Sequence, residues 1–134
     1  MTYRLQIVTP DGQRFDGQAE KAILRTTQGE VCIMARHIDY VAPLGMGRAR
    51  VTAEGESRDA ACIGGVVIVA DGTTRIIATS FEWKDEIDIP RAKDAYRKAK
   101  EALQQDLSPE DQAIQQARMK RAMVRLSVAG EAIE

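Results

Sequence analysis

This chain of 134 residues has little with which to bind a metal or form a disulfide, since it carries two cysteines and one histidine. Cys32 and Cys62 make no C-x-x-C pair and lie in apolar, strand-like runs. They read as reduced thiols in a core, and a structural zinc site is not expected. No apolar run approaches a membrane span, and the opening MTYRLQIV has neither a basic region nor a long apolar one. Bilayer insertion and a secretory signal are therefore not expected, and the chain reads as exposed to the cytosol or seated on the cytosolic side of something larger. An excess of one charge is also missing. Nineteen basic residues face 20 acidic ones, for a net charge of -1. That balance, even on both sides of residue 84, gives no general affinity for nucleic acid or a membrane surface. Catalytic signatures are absent too: there is no G-x-S-x-G, no P-loop, and no carboxylate pair brought together by spacing.

What is present divides at Ile87–Ala92, I-D-I-P-R-A. Before it, short alternating segments rich in Val, Ile, Thr and Gly predict strands. Tyr3–Val8 places Tyr3, Leu5 and Ile7 on one face and Arg4 and Gln6 on the other. Pro10-Asp11-Gly12 and Asp16-Gly17 are turn signals around a short run containing Phe15. Strands are predicted at Ala19–Thr26, Glu30–Met34, Tyr40–Pro43, Arg48–Thr52, Ser57–Ile63, Val66–Ala70 and Thr73–Ala78. Asp71-Gly72 is the clearest hairpin turn, because both positions favour positive φ. Gly64-Gly65 reads as a bend between strands and not a phosphate cradle, since no helix comes after it. His37 reads as a loop imidazole bonded to backbone or solvent. Phe81 and Trp83 read as apolar cover where the strands meet the helical part of the chain. The expected unit is a flattened β-sandwich or barrel of roughly 80 residues.

After the junction the pattern becomes helical. Asp88 is the predicted N-cap of a helix with Pro90 in its first turn. Ile89, Ala92, Ala95, Tyr96, Ala99, Ala102 and Leu103 recur at three- and four-residue steps to about Gln105. Ser108 then caps a second helix, with Pro109 first and Asp111 three after the cap. Its expected stripe is Ala113, Ala117, Val124 and Val128, with Met119, Ala122, Met123 and Leu126 beside it. So short a link makes an antiparallel hairpin. A seam of alanines buries little apolar surface, so the hairpin is expected to be marginal alone and able to move.

Charge adds a second feature. Arg118, Arg121 and Arg125 share a face of the second helix, and Arg91 and Lys98 a face of the first. Folding back is expected to bring Arg91 opposite Arg125 and Lys98 near Arg121, beside Asp88 and a helix N-terminus that favours anions. Spacing alone leaves two readings open. The cations complement helix dipoles while their stems cover apolar surface, or they bind an anion such as a triphosphate.

Five segments now carry a resemblance: Ile7–Gly12 (I-V-T-P-D-G), Gly29-Glu30, Gly64-Gly65, Glu86–Lys93 (E-I-D-I-P-R-A-K) and Lys120–Ala129 (K-R-A-M-V-R-L-S-V-A). Over nearly its whole length the chain resembles the epsilon subunits of rotary F-type ATP synthases. The resemblance implies a β-sandwich over 1–84 that docks on the gamma subunit and the c-ring, and a regulatory helical hairpin over 85–134. It implies a central-stalk rotor subunit without catalysis of its own, in a complex coupling proton or sodium flow to ATP synthesis. The hairpin would extend along gamma toward the alpha and beta subunits and restrain ATP hydrolysis. The implied location is peripheral, on the cytoplasmic face of a bacterial cell membrane.

Some bacterial members bind ATP through an I/L-D-x-x-R-A motif, which Ile87–Ala92 fits. The implied nucleotide site is Glu82, Asp88, Arg91, Ala92, Lys98, Arg121 and Arg125, with ATP as a regulatory ligand and neither a metal nor a required cofactor. Lys98 stands where the family has arginine, so charge is kept but bidentate contact is lost. Glu30 and His37 would meet the c-ring by analogy. Near them Ala35-Arg36-His37 and Asp39-Tyr40 depart from the family's P-G-H and P-L pairs. Two other readings remain: a purely structural coupling subunit whose hairpin ignores ATP, and a free-standing nucleotide-binding signalling module.

Overall fold

The structure is a computed structural model that describes residues 1–133. Its strands are β1 (Tyr3–Thr9), β2 (Gly12–Ala19), β3 (Lys21–Thr26), β4 (Gly29–Met34), β5 (Tyr40–Pro43), β6 (Met46–Ala53), β7 (Glu56–Ala70) and β8 (Thr73–Trp83). Alternation fixes β1 as expected: Tyr3, Leu5 and Ile7 are buried while Arg4 and Val8 face out. The pairing order is β2-β1-β8-β7-β6-β3-β4, with β5 also on β7. Neighbours run antiparallel except β1 and β8, which join the two ends of the unit in parallel. Inward side chains from these strands, including Leu5, Leu24, Ile33, Val67, Ile76 and Phe81, form one core. This is the expected sandwich.

β7 is a single long strand where two segments were expected. Gly64 and Gly65 have φ of 70° and 116° and mark the place where β7 changes partner from β6 to β5. A Cβ on Gly65 would lie 2.1 Å from the Ile77 carbonyl oxygen, so only glycine fits this bend. Asp71 and Gly72 take φ of 53° and 74°, as the β7–β8 turn requires. β2 is a further strand, held by its pairing to β1 although its own residues are poor strand formers.

The cysteines separate. Cys62 is buried, and desolvation pushes its thiol up to about 12. Cys32 was expected in the core but faces out, because β4 turns Ile33 inward and its neighbours the other way. Phe81 and Trp83 are core residues, stacked edge-on with centroids 4.9 Å apart, and Phe15 joins them.

Packing divides the chain after Lys84 into two compact units. A 3-10 turn over Lys84–Glu86 leads into α1 (Ile89–Ala102) and α2 (Pro109–Ala129), which pack on each other. Both predicted caps form. Asp88 Oδ1 accepts from the Arg91 amide at 3.1 Å, and Ser108 Oγ from the Asp111 amide at 3.2 Å. α1 stops at Ala102, short of the expected Gln105, and the chain tightens into three-residue bonds from Gln104 to Glu101 and Gln105 to Ala102. α2 ends at Gly130, whose φ of 83° closes the helix.

The seam also differs in detail. Ala92 and Ala99 are the buried residues of α1, whereas Ala95 is exposed. In α2 the buried residues are Ala122, Leu126 and Val128, while Ala113 and Met123 are exposed. Among the described residues no helix is long and apolar enough to cross a membrane.

Candidate functional site

The nucleotide residues expected from the sequence fall on both units. Glu82 lies on β8 and is half-buried. Ile87 is buried and anchors the chain just before α1. Asp88 then caps the helix with one carboxylate oxygen, which leaves α1 with no acidic residue inside its first turn. Arg91 stands in that turn, exposed, and no ion pair satisfies its guanidinium among the described residues. A cation at a helix N-terminus is poorly placed electrostatically. An anion bound there would meet both the guanidinium and the positive helix end.

Ala92 is buried one step round the helix. At 100° per residue, Arg91 and Lys98 lie on one flank of the Ala92–Ala99 stripe, and Lys93 and Tyr96 on the other. The two flanks have different partners. Lys98 Nζ is 2.9 Å from Asp94 Oδ2, and Arg97 also reaches Asp94. Hydrogen bonds from Lys98 and then Arg97 hold the Asp94 carboxyl below its ordinary range, so it stays ionised at any physiological pH. Lys98 therefore has a carboxylate partner within its own helix. Spacing could have shown it, because Asp94 precedes Arg97 by three residues and Lys98 by four.

On α2, Arg121 and Arg125 are half-buried and Arg118 is exposed. The ends of the two helices that carry the motif and these arginines are neighbours. Lys93 Nζ bonds Glu131 Oε1 at 2.9 Å, and Lys93, Tyr96, Leu126 and residues 131–133 line a cleft of ≈ 410 Å³. Neither the Lys93–Glu131 pair nor the cleft was read from the sequence.

Glu30 and His37 share one sheet edge without touching. Glu30 is the second residue of β4, opposite Arg25, and His37 lies just past the strand's far end. At about 3.3 Å per residue, β4 carries the backbone roughly 13 Å from Glu30 to Met34, and His37 follows in the loop beyond. His37 Nδ1 is 2.8 Å from the Ile38 carbonyl oxygen and its ring packs edge-on against Tyr40, so the backbone-bonded loop imidazole expected from sequence is what forms. Arg36, at φ of 66°, turns the loop here. Around it Met34, Ile38 and Val41 are exposed, a concentration of apolar surface that favours a protein contact. Among the described residues there is no group of three or more acidic, cysteine or histidine side chains arranged to hold a metal.

Comparison with known proteins matches both units. Residues 2–84 fit the family described as ATP synthase, Delta/Epsilon chain, beta-sandwich domain. Residues 85–130 fit its long alpha-helix domain. The ATP synthase epsilon chain of Shouchella clausii is 38% identical over 96% of this chain and 95% of its own length. That of Caldicellulosiruptor bescii is 36% identical, covering 96% and 94%. Among solved structures, the fold is shared with a chain of the Euglena gracilis mitochondrial ATP synthase. Its TM-score is 0.80 at 22% identity, covering 95% of this chain and 80% of that one. It is also shared with a chain of the Tetrahymena thermophila mitochondrial ATP synthase central stalk and c-ring. There the TM-score is 0.69 at 16% identity, covering 94% and 95%.

Proposed function

This chain belongs to the ATP synthase delta/epsilon family, as an epsilon chain, and from that premise we propose that it is a bacterial rotor subunit with a movable, ATP-sensing hairpin. It is a non-catalytic member of the complex. The strand unit docks on the gamma subunit and the c-ring. Glu30, His37 and the exposed Met34, Ile38 and Val41 form its c-ring edge. The hairpin, when extended, reaches the alpha and beta subunits and restrains ATP hydrolysis. Ion flow, of protons or sodium, reaches ATP synthesis through this rotor, which sits peripherally on the cytoplasmic face of the cell membrane.

The observation that carries the ATP reading is Arg91: a cation with no ion pair among the described residues, at the N-terminal turn of α1 beside its capping Asp88. Phosphate oxygens would satisfy that guanidinium and the helix end together. Arg121 and Arg125 supply further positive charge from α2, and Lys98 and the buried Ala92 of α1 belong to the proposed set. Because ATP binds only the closed hairpin, it depletes the extended, inhibitory form. At a hundredfold excess over its Kd the shift is about 2.7 kcal/mol, enough to decide the state of a marginal hairpin. No step of catalysis is required, and ATP acts only by its different affinity for the two states.

Calorimetric titration of the isolated protein tests this. We expect saturable ATP binding, weakened at least ~10-fold in Arg91→Ala and in Asp88→Ala, the scale of one lost charge-assisted contact. The strand unit should unfold as in the wild type. Unchanged binding in both variants would overturn the site, and no binding by the wild type would leave a purely structural coupling subunit.

A further inference from the structure

The Lys93–Glu131 contact lies on the flank of α1 opposite Arg91 and Lys98, and nothing in the ATP reading uses it. Its two charges are each badly placed on their own helix. Glu131 comes directly after Gly130, where the negative end of α2 disfavours a carboxylate, and the last turn of α2 contains no basic residue. Lys93 lies near the beginning of α1, whose first turn contains no acidic residue. Among the described residues each charge finds its partner across the hairpin, where Nζ and Oε1 are 2.9 Å apart.

The backbone sets this meeting up. Gly130, in its left-handed conformation, lets the Glu131 amide bond back to the Leu126 carbonyl at 2.9 Å. The chain thereby turns out of α2, and residues 131–133 come to line the cleft with Lys93 and Tyr96. We infer that Lys93 and Glu131 form a clasp that sets how readily the hairpin opens, independently of the nucleotide flank. The inference rests on the movable hairpin proposed above. It adds an electrostatic control that responds to ionic strength, since both side chains are partly solvated, at 56% and 35% relative exposure.

Native-state hydrogen exchange of the full chain tests it, comparing wild type, Glu131→Gln, Lys93→Gln and the charge-swapped double variant Lys93→Glu/Glu131→Lys. At low salt, exchange of the α1 and α2 amides should speed up by about two- to fivefold in each single variant, the range of an exposed ion pair. The swap restores the pair and also sets each charge favourably on its own helix, so it should recover wild-type protection or exceed it at low salt. Near 1 M salt, where screening acts within about 3 Å, the wild type and single variants should converge. An opening hairpin whose exchange is the same in all four proteins would overturn the clasp alone. Hairpin amides exchanging as slowly as the strands in every protein would overturn the movable hairpin and the clasp together.

Discussion

The strand unit and the hairpin differ most in what they bury. Among the largest fully buried side chains, Leu5, Ile7, Leu24, Ile33, Val51, Val67, Thr74 and Ile76 belong to the strands. The helices contribute Leu126 and Val128, and their remaining buried positions are alanines. The kind of contact differs as well. Parallel pairing of Arg4 with Thr73 and Val8 with Ile77 ties the beginning of the strand unit to its end. The central strands β1, β8, β7, β6 and β3 each pair on both sides, so none of them can leave without breaking two ladders. Within the hairpin, by contrast, contacts join two neighbouring helices, and the beginning of α2 is exposed, with Ile114 in the open. Units built this way separate in local stability, and an element that must move is drawn from the weaker one. A sandwich held by non-local pairing and a hairpin seamed by alanine suit a rigid coupling base and a switch.

The largest expected effect that tests this contrast is at Gly65. Gly65→Ala places a Cβ against the Ile77 carbonyl at a positive φ. It should cost the strand unit about 3 kcal/mol or more, from backbone strain and overlap together. Urea unfolding monitored by Trp83 fluorescence reads this directly, because Trp83 is in that core. A variant as stable as the wild type would show that the bend is not fixed, and with it the rigidity of the base. A smaller effect belongs to Ser108→Ala, which removes the cap of α2 at a cost of about 1 kcal/mol. That loss should appear as faster exchange of hairpin amides with the urea midpoint of the sandwich unchanged. A shifted midpoint would mean that the two units unfold as one.

Much of this contrast can be read in the chain before it folds, wherever the signal is local. Tyr3, Leu5 and Ile7 declare an inward face by alternation, Asp71-Gly72 declares a turn, and Asp88 and Ser108 declare helix starts. Each works through its own backbone, so neighbours in sequence suffice. The features that escape sequence reading depend on distant partners. β2 is held by β1, against the preferences of its own Gly and Asp residues. Cys32 lies in an unbroken apolar run, V-C-I-M, where no alternation marks which side faces out. Ala95 and Ala113 look like seam residues because alanine says little about its surroundings. At the candidate site, Asp88, Arg91 and Ala92 are legible from the motif and from capping chemistry. The Asp94–Lys98 pair is legible from its four-residue spacing alone. Lys93 and Glu131 are joined only by the fold, on opposite sides of the helix link.

Amide hydrogen exchange of the isolated protein, with and without ATP at about a hundredfold excess over its Kd, tests the switch most directly. The α1 and α2 amides should open far more readily than those of the strands and be slowed ~100-fold by ATP, while strand amides do not change. Helices already as protected as β1 and β8 without ATP, and unmoved by its addition, would contradict the switch.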